Sequence, residues 1–156
     1  KDVYKYLSKK KIIKQVELIN NFYLSKFKKK PRIAITGLNP HCESNYKSSE
    51  ENRIIIPSIK YLIKKKYNVK GPFAADTIFM KEQLKKYDVI VGMYHDQVLT
   101  PAKTLFGFEA INITLEIMNK KSKVLSLYSE SFIIVILMLQ CCFPFHNTTC
   151  NNFRNW

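Results

Sequence analysis

Apolar residues recur at three- and four-residue steps between positions 8 and 27. Ile12, Ile13, Val16, Ile19, Tyr23 and Phe27 fall on one face, which predicts an amphipathic helix that Pro31 terminates. The run "RIAIT" (32–36) predicts a short buried strand, with Gly37 as its turn residue. Residues 50–67, "EENRIIIPSIKYLIKKKY", predict a second helix. Ser48 or Ser49 is its expected cap, and Glu50 and Glu51 suit the positive end of its dipole. Pro57 lies inside that pattern, so a late start or a kink is expected there. "GPFAADTIF" (71–79) reads as loop or short strand, and 80–87 as a short helix. "DVIVGMY" (88–94) reads as a strand buried on both faces, and "FEAINITL" (108–115) as another. The segment between them reads as a loop containing Pro101. Strands alternating with helices predict an α/β domain with a mostly parallel sheet and flanking helices.

Beyond residue 118 the pattern changes. Residues 124–156 hold one acid, Glu130, and one base, Arg154. The apolar run 132–143 is shorter than the roughly 20 residues of a membrane-spanning helix, and Pro144 follows it. Cys141, Cys142, His146 and Cys150 do not match the usual zinc-knuckle spacing, because the first two are adjacent. The expected organisation is a partial domain over 1–118 and a divergent tail over 119–156, with the tail read as out-of-frame or otherwise non-homologous sequence.

Charge modifies this picture only slightly. Nine of the 26 basic residues behind the net charge of +14 form lysine tracts at 9–11, 28–30 and 64–66, each beside an amphipathic helical pattern. Arginine, the better residue for bidentate contacts to phosphates and bases, occurs only at 32, 53 and 154. The lysines therefore read as a solvated basic surface, with a nucleic-acid-binding protein as the weaker alternative. The four cysteines form no disulfide framework and no signal-peptide pattern opens the chain, so the cytoplasm is the expected location. The chain opens on Lys1-Asp2 and is expected to be a piece of a longer protein.

Candidate chemistry sits where strands end. In open α/β sheets ligands collect at the carboxyl ends of strands. His41, in "GLNPH", and His95, in "MYHDQ", both fall at such ends, with Asn39, Asp96 and Gln97 nearby. Either histidine alone reads as a strand end tied down by a hydrogen bond; two in equivalent settings point to a site. No GxGxxG occurs, which argues against a Rossmann dinucleotide fingerprint.

The blocks "GLNPH", "GPFAADTIF" and "MYHDQVLTPAKTLFGFEAINITL" together resemble the 4-hydroxythreonine-4-phosphate dehydrogenase family, from about residue 1 to about residue 115. The resemblance implies an isocitrate/isopropylmalate dehydrogenase-like fold, a homodimer, and a role in pyridoxal phosphate biosynthesis. The implied reaction is oxidation of the phosphorylated hydroxy-amino acid by NAD or NADP, with a divalent metal (zinc, magnesium or cobalt), followed by decarboxylation. It assigns His41 and His95 to two of three metal-binding histidines in a site shared between dimer partners. It assigns Lys103 and Asn112 to substrate binding, expected in the same crevice as His95. Asp76 and Asp96 take the acidic catalytic positions near the reaction centre. The chain departs from the family in three places. "CESNY" replaces a glycine-rich continuation after His41, the segment bearing the third histidine is absent, and "EIMNKK" replaces the continuation that carries a substrate-binding arginine. A catalytically inactive remnant that only folds or dimerises is the alternative.

Overall fold

The computed structural model describes residues 6–42 and 46–107, together with the backbone of 137–138. The expected strand 108–115, Asn112 within it, and the tail other than that residue pair lie outside the described residues.

Helix α1 (Lys9–Phe27) begins at Ser8, whose Oγ accepts from Lys11 N at 3.3 Å. Ile12, Val16, Ile19 and Tyr23 are buried, as their spacing predicts, and Phe22 joins them. Phe27 is largely exposed in the last turn. Three strands follow at intervals: β1 (Ile33–Thr36), β2 (Val69–Phe73) and β3 (Val89–Gly92). A two-residue strand, β4 (Leu137–Met138), completes the sheet in the order β2-β1-β3-β4, with every pairing parallel.

Every residue of β1 and β3 is buried, because helices or loops cover both faces of the sheet. The period of two sorts the side chains. Ile33, Ile35, Val89 and Val91 pack with α1 and with the helical segment after β1, whereas Ala34 and Ile90 pack with Ile78, Phe79 and Val98 on the other side. The β1–β2 register shifts between Ala34 and Thr36. Opposite that shift, Gly71 has φ +140, and a Cβ there would stand 2.4 Å from the Ile35 carbonyl oxygen. Only glycine fits.

The second predicted helix is divided. Glu51–Ile55 forms a π turn, and α2 (Ile56–Lys64) continues from it with Pro57 in its first turn. Proline lacks an N–H and crowds the carbonyl four residues back, and the wider turn accommodates both defects. A short helix, α3 (Lys81–Leu84), precedes β3. The expectation of a loop around Pro101 is overturned. His95–Phe106 is a helix, α4, with Pro101 inside it. Val98, Ala102 and Phe106 recur at four-residue steps, and the burial of Val98 and Ala102 outweighs the cost of one lost backbone bond.

At the amino end of the sheet, Asp88 ties β3 to β1. Its carboxylate accepts from Arg32 N at 2.8 Å, Arg32 Nε at 3.0 Å and Arg32 Nη2 at 2.9 Å. Burial acts to raise the Asp88 carboxyl, but the Arg32 hydrogen bonds and the Arg32 and Lys29 charges outweigh it and bring the pKa down to about 2. The Tyr23 hydroxyl donates to the Asp88 carbonyl at 3.1 Å, which anchors α1 to the same point. No helix among the described residues is long and apolar enough to cross a membrane.

Candidate functional site

The loop leaving β1 folds on its own polar groups. Leu38 N and Asn39 N both donate to Glu51 Oε1 at 2.9 Å. Asn39 Oδ1 then accepts from His41 N at 2.9 Å, and Asn39 O from Cys42 N at 2.9 Å. Cys42 takes a left-handed φ of 57. Its thiol is pushed up by burial and further by the Glu51 charge. Pro40 O accepts from Ala75 N at 2.8 Å, which brings the segment after β2 against the turn. The next residue, Asp76, sets Oδ2 3.0 Å from His41 Nδ1. The His41 side chain is 70 % exposed.

The other histidine opens α4. His95 Nδ1 lies 2.7 Å from Asp96 Oδ1, and the ring is half exposed at 50 %. Two residues on, Gln97 turns inward and joins the two strand ends. Its Oε1 accepts from Met93 N and Thr36 Oγ1, and its Nε2 donates to Gly37 O, each at 2.8 Å. Gly92 makes room for this first turn, since a Cβ at 92 would stand 2.6 Å from Val98 Cγ1.

His41 and His95 therefore lie just past the carboxyl ends of adjacent parallel strands, β1 and β3, where the strand pattern predicts them. Each ring has Nδ1 against a carboxylate. An ionised carboxylate only accepts, so Nδ1 is the donor nitrogen of each ring, and in a neutral imidazole that arrangement leaves the lone pair on Nε2. This carboxylate–histidine pairing is the one that prepares an imidazole to bind a metal. Asp76 and Asp96 are thereby brought to His41 and His95, one each. Among the described residues, however, no group of three or more His, Cys, Asp or Glu side chains is placed to hold an ion. Lys103 is not beside His95. It occupies the last turn of α4, exposed, about 12 Å along the helix axis. A cavity of about 420 Å³ lined by Leu84, Tyr87, Val89, Ile90 and Phe106 opens near the start of β3, and neither histidine lines it.

Read from sequence, Glu51 has only a dipole role, and Gln97 is placed near the strand ends without one. A signal for Glu51 was available. It stands four residues before Ile55 and eight before Ile59, on the buried stripe of its helix.

A family model described as "Pyridoxal phosphate biosynthetic protein PdxA" matches residues 1–121. The chain belongs to this family. Among PdxA-family relatives, the 4-hydroxythreonine-4-phosphate dehydrogenase of Sulfurihydrogenibium sp. (strain YO3AOP1) is 44% identical over 117 residues, which is 74% of this chain and 36% of the relative. The enzyme of that name from Aquifex aeolicus (strain VF5) is 41% identical over 116 residues, again 74% and 36%. The crystal structure of 4-hydroxythreonine-4-phosphate dehydrogenase from Klebsiella pneumoniae superposes with a TM-score of 0.63 at 33% identity, covering 69% of this chain and 33% of that one. The chain thus shares the α/β fold of these PdxA-family structures and spans about a third of the length of its curated relatives.

Proposed function

We propose that this chain supplies part of the active site of an oxidoreductase that oxidises 4-hydroxythreonine 4-phosphate, with decarboxylation, in pyridoxal phosphate biosynthesis. The enzyme uses NAD or NADP and a divalent metal (zinc, magnesium or cobalt), and works as a cytoplasmic homodimer whose partner completes the metal site. Nucleic acid and membrane have no part in it. One observation carries this reading: two histidines past the carboxyl ends of adjacent parallel strands, each with Nδ1 against an aspartate. Family membership supports it.

His41 and His95 would hold the cation through Nε2. When bound, the cation supplies a Lewis acid for the substrate hydroxyl and the nicotinamide supplies the hydride acceptor. Asp76 and Asp96 keep the proton on each Nδ1 and so fix the tautomer and ring orientation, a positioning role rather than direct acid–base work. Lys103 offers a point charge to an anionic substrate, and Asn112 an amide. The second reading is a catalytically inactive remnant that only folds or dimerises.

Zinc titration followed by thermal unfolding separates the two. A midpoint that rises with zinc, and stops rising in a His41→Ala, His95→Ala double variant, is the expected outcome. An unchanged midpoint at saturating zinc, or the same rise in the double variant, rejects the metal site.

A further inference from the structure

We infer that Glu51 is the positioning residue that sets the His41 loop, acting through the backbone and touching neither histidine. The inference rests on the metal-site reading for its functional consequence and on geometry for the brace itself. Glu51 is 2 % exposed, and no ion pair with lysine or arginine is formed by it among the described residues. A buried carboxylate needs donors, and the donors here are two consecutive backbone N–H groups, Leu38 and Asn39, meeting one oxygen.

Those two N–H groups lie just beyond the sheet. The last ladder bond on this side is Gly37 N to Phe73 O at 2.9 Å. From Leu38 onward the loop backbone must find other partners, and Glu51 is the first. Each later bond depends on where Asn39 stands. Asn39 Oδ1 receives His41 N, Asn39 O receives Cys42 N, and Pro40 O receives Ala75 N, the neighbour of the aspartate that meets the imidazole. Releasing Leu38 and Asn39 would free the turn, and with it the angle of the His41 ring. The π turn gives Glu51 its place: Ile56 N–H bonds to the Glu51 carbonyl, one residue farther on than in an α-helix, with Ile55 buried below.

Three variants test this. Glu51→Gln keeps the accepting oxygen without the charge, Glu51→Ala removes it, and Glu51→Asp keeps the charge but is one methylene too short; the last serves if the alanine variant does not fold. Amide hydrogen exchange and cobalt binding, followed by the visible spectrum, are measured on the whole chain. In Glu51→Ala or Glu51→Asp, exchange at Leu38, Asn39 and His41 should quicken about tenfold or more, with Ile90 and Val91 unchanged, and cobalt affinity should fall about 10–100-fold, the usual cost of losing an outer support of a metal ligand. Glu51→Gln should stay close to the parent in both. Unchanged exchange at Leu38 and Asn39, equal quickening at Ile90 and Val91, or intact cobalt affinity despite a released loop would each overturn the inference. If the parent chain binds no cobalt, the metal-site reading fails, and the exchange pattern alone decides whether Glu51 is the brace.

Discussion

A single carboxylate at residue 88 shows how local chemistry sets a measurable property. Its side chain is only 15 % exposed and takes three hydrogen bonds from Arg32. The folded pKa of about 2 lies below the ordinary 3.8, so the unfolded chain takes up the proton first as pH falls. The stabilisation is complete above about pH 4 to 5 and is lost progressively toward pH 2, and it amounts to about 2 kcal/mol at neutral pH. Urea unfolding at pH 7 and pH 3 should show about half of this loss, and Asp88→Asn should abolish that part of the difference between the two. A second residue-scale prediction concerns Asp76. Asp76→Asn can still accept through its amide oxygen but lacks the charge that favours Nδ1–H. Zinc affinity should therefore fall about tenfold while the thermal midpoint without metal stays within a degree or two. An unaltered zinc affinity would separate Asp76 from the site.

Among the elements, the first turn of α4 has most at stake. Gln97→Met keeps the volume but strands Met93 N and the Gly37 carbonyl without their amide partner, and leaves the Thr36 hydroxyl only its longer bond to Val91 O at 3.3 Å. A cost of about 2–4 kcal/mol is expected in chemical denaturation, above that of an ordinary surface change. Legibility in the sequence divides along similar lines. Helix α1 and strands β1 and β3 were readable because their signals are periodic and local: one apolar face, and two short apolar runs, the first closed by Gly37 and the second read over 88–94, two residues beyond the observed end at Gly92. Both histidines were readable as strand-end residues for the same reason. Helix α4 was missed because Pro101 outweighed the spacing of Val98, Ala102 and Phe106. The burial of Glu51 is legible from its place on the apolar stripe, but its bonding partners and those of Gln97 are not, since each is defined by groups on another element, Gln97 by one 60 residues away.

At the scale of the whole molecule, the charge of +14 is a self-repulsion, and two lysine tracts far apart in the chain converge, with Lys9 and Lys65 Nζ lying 5.6 and 5.9 Å from the Tyr61 ring centroid. Raising salt from about 0.02 M to 0.5 M should screen it and lift the thermal midpoint by a few degrees. A midpoint that falls would indicate that attractive pairs such as Arg32–Asp88 dominate. The same pair has a kinetic meaning when set beside Gln97. Arg32–Asp88 closes one end of the β1–β3 pair across 56 residues of chain, and Thr36–Gln97 closes the other across 61. The two closures enclose nearly the same loop, so the entropy of bringing its ends together is lost once, by whichever forms first. Opening at the histidine end alone then recovers almost none of that entropy while Asp88 still holds. The strand ends that carry His41 and His95 can separate freely only when the whole pair comes apart.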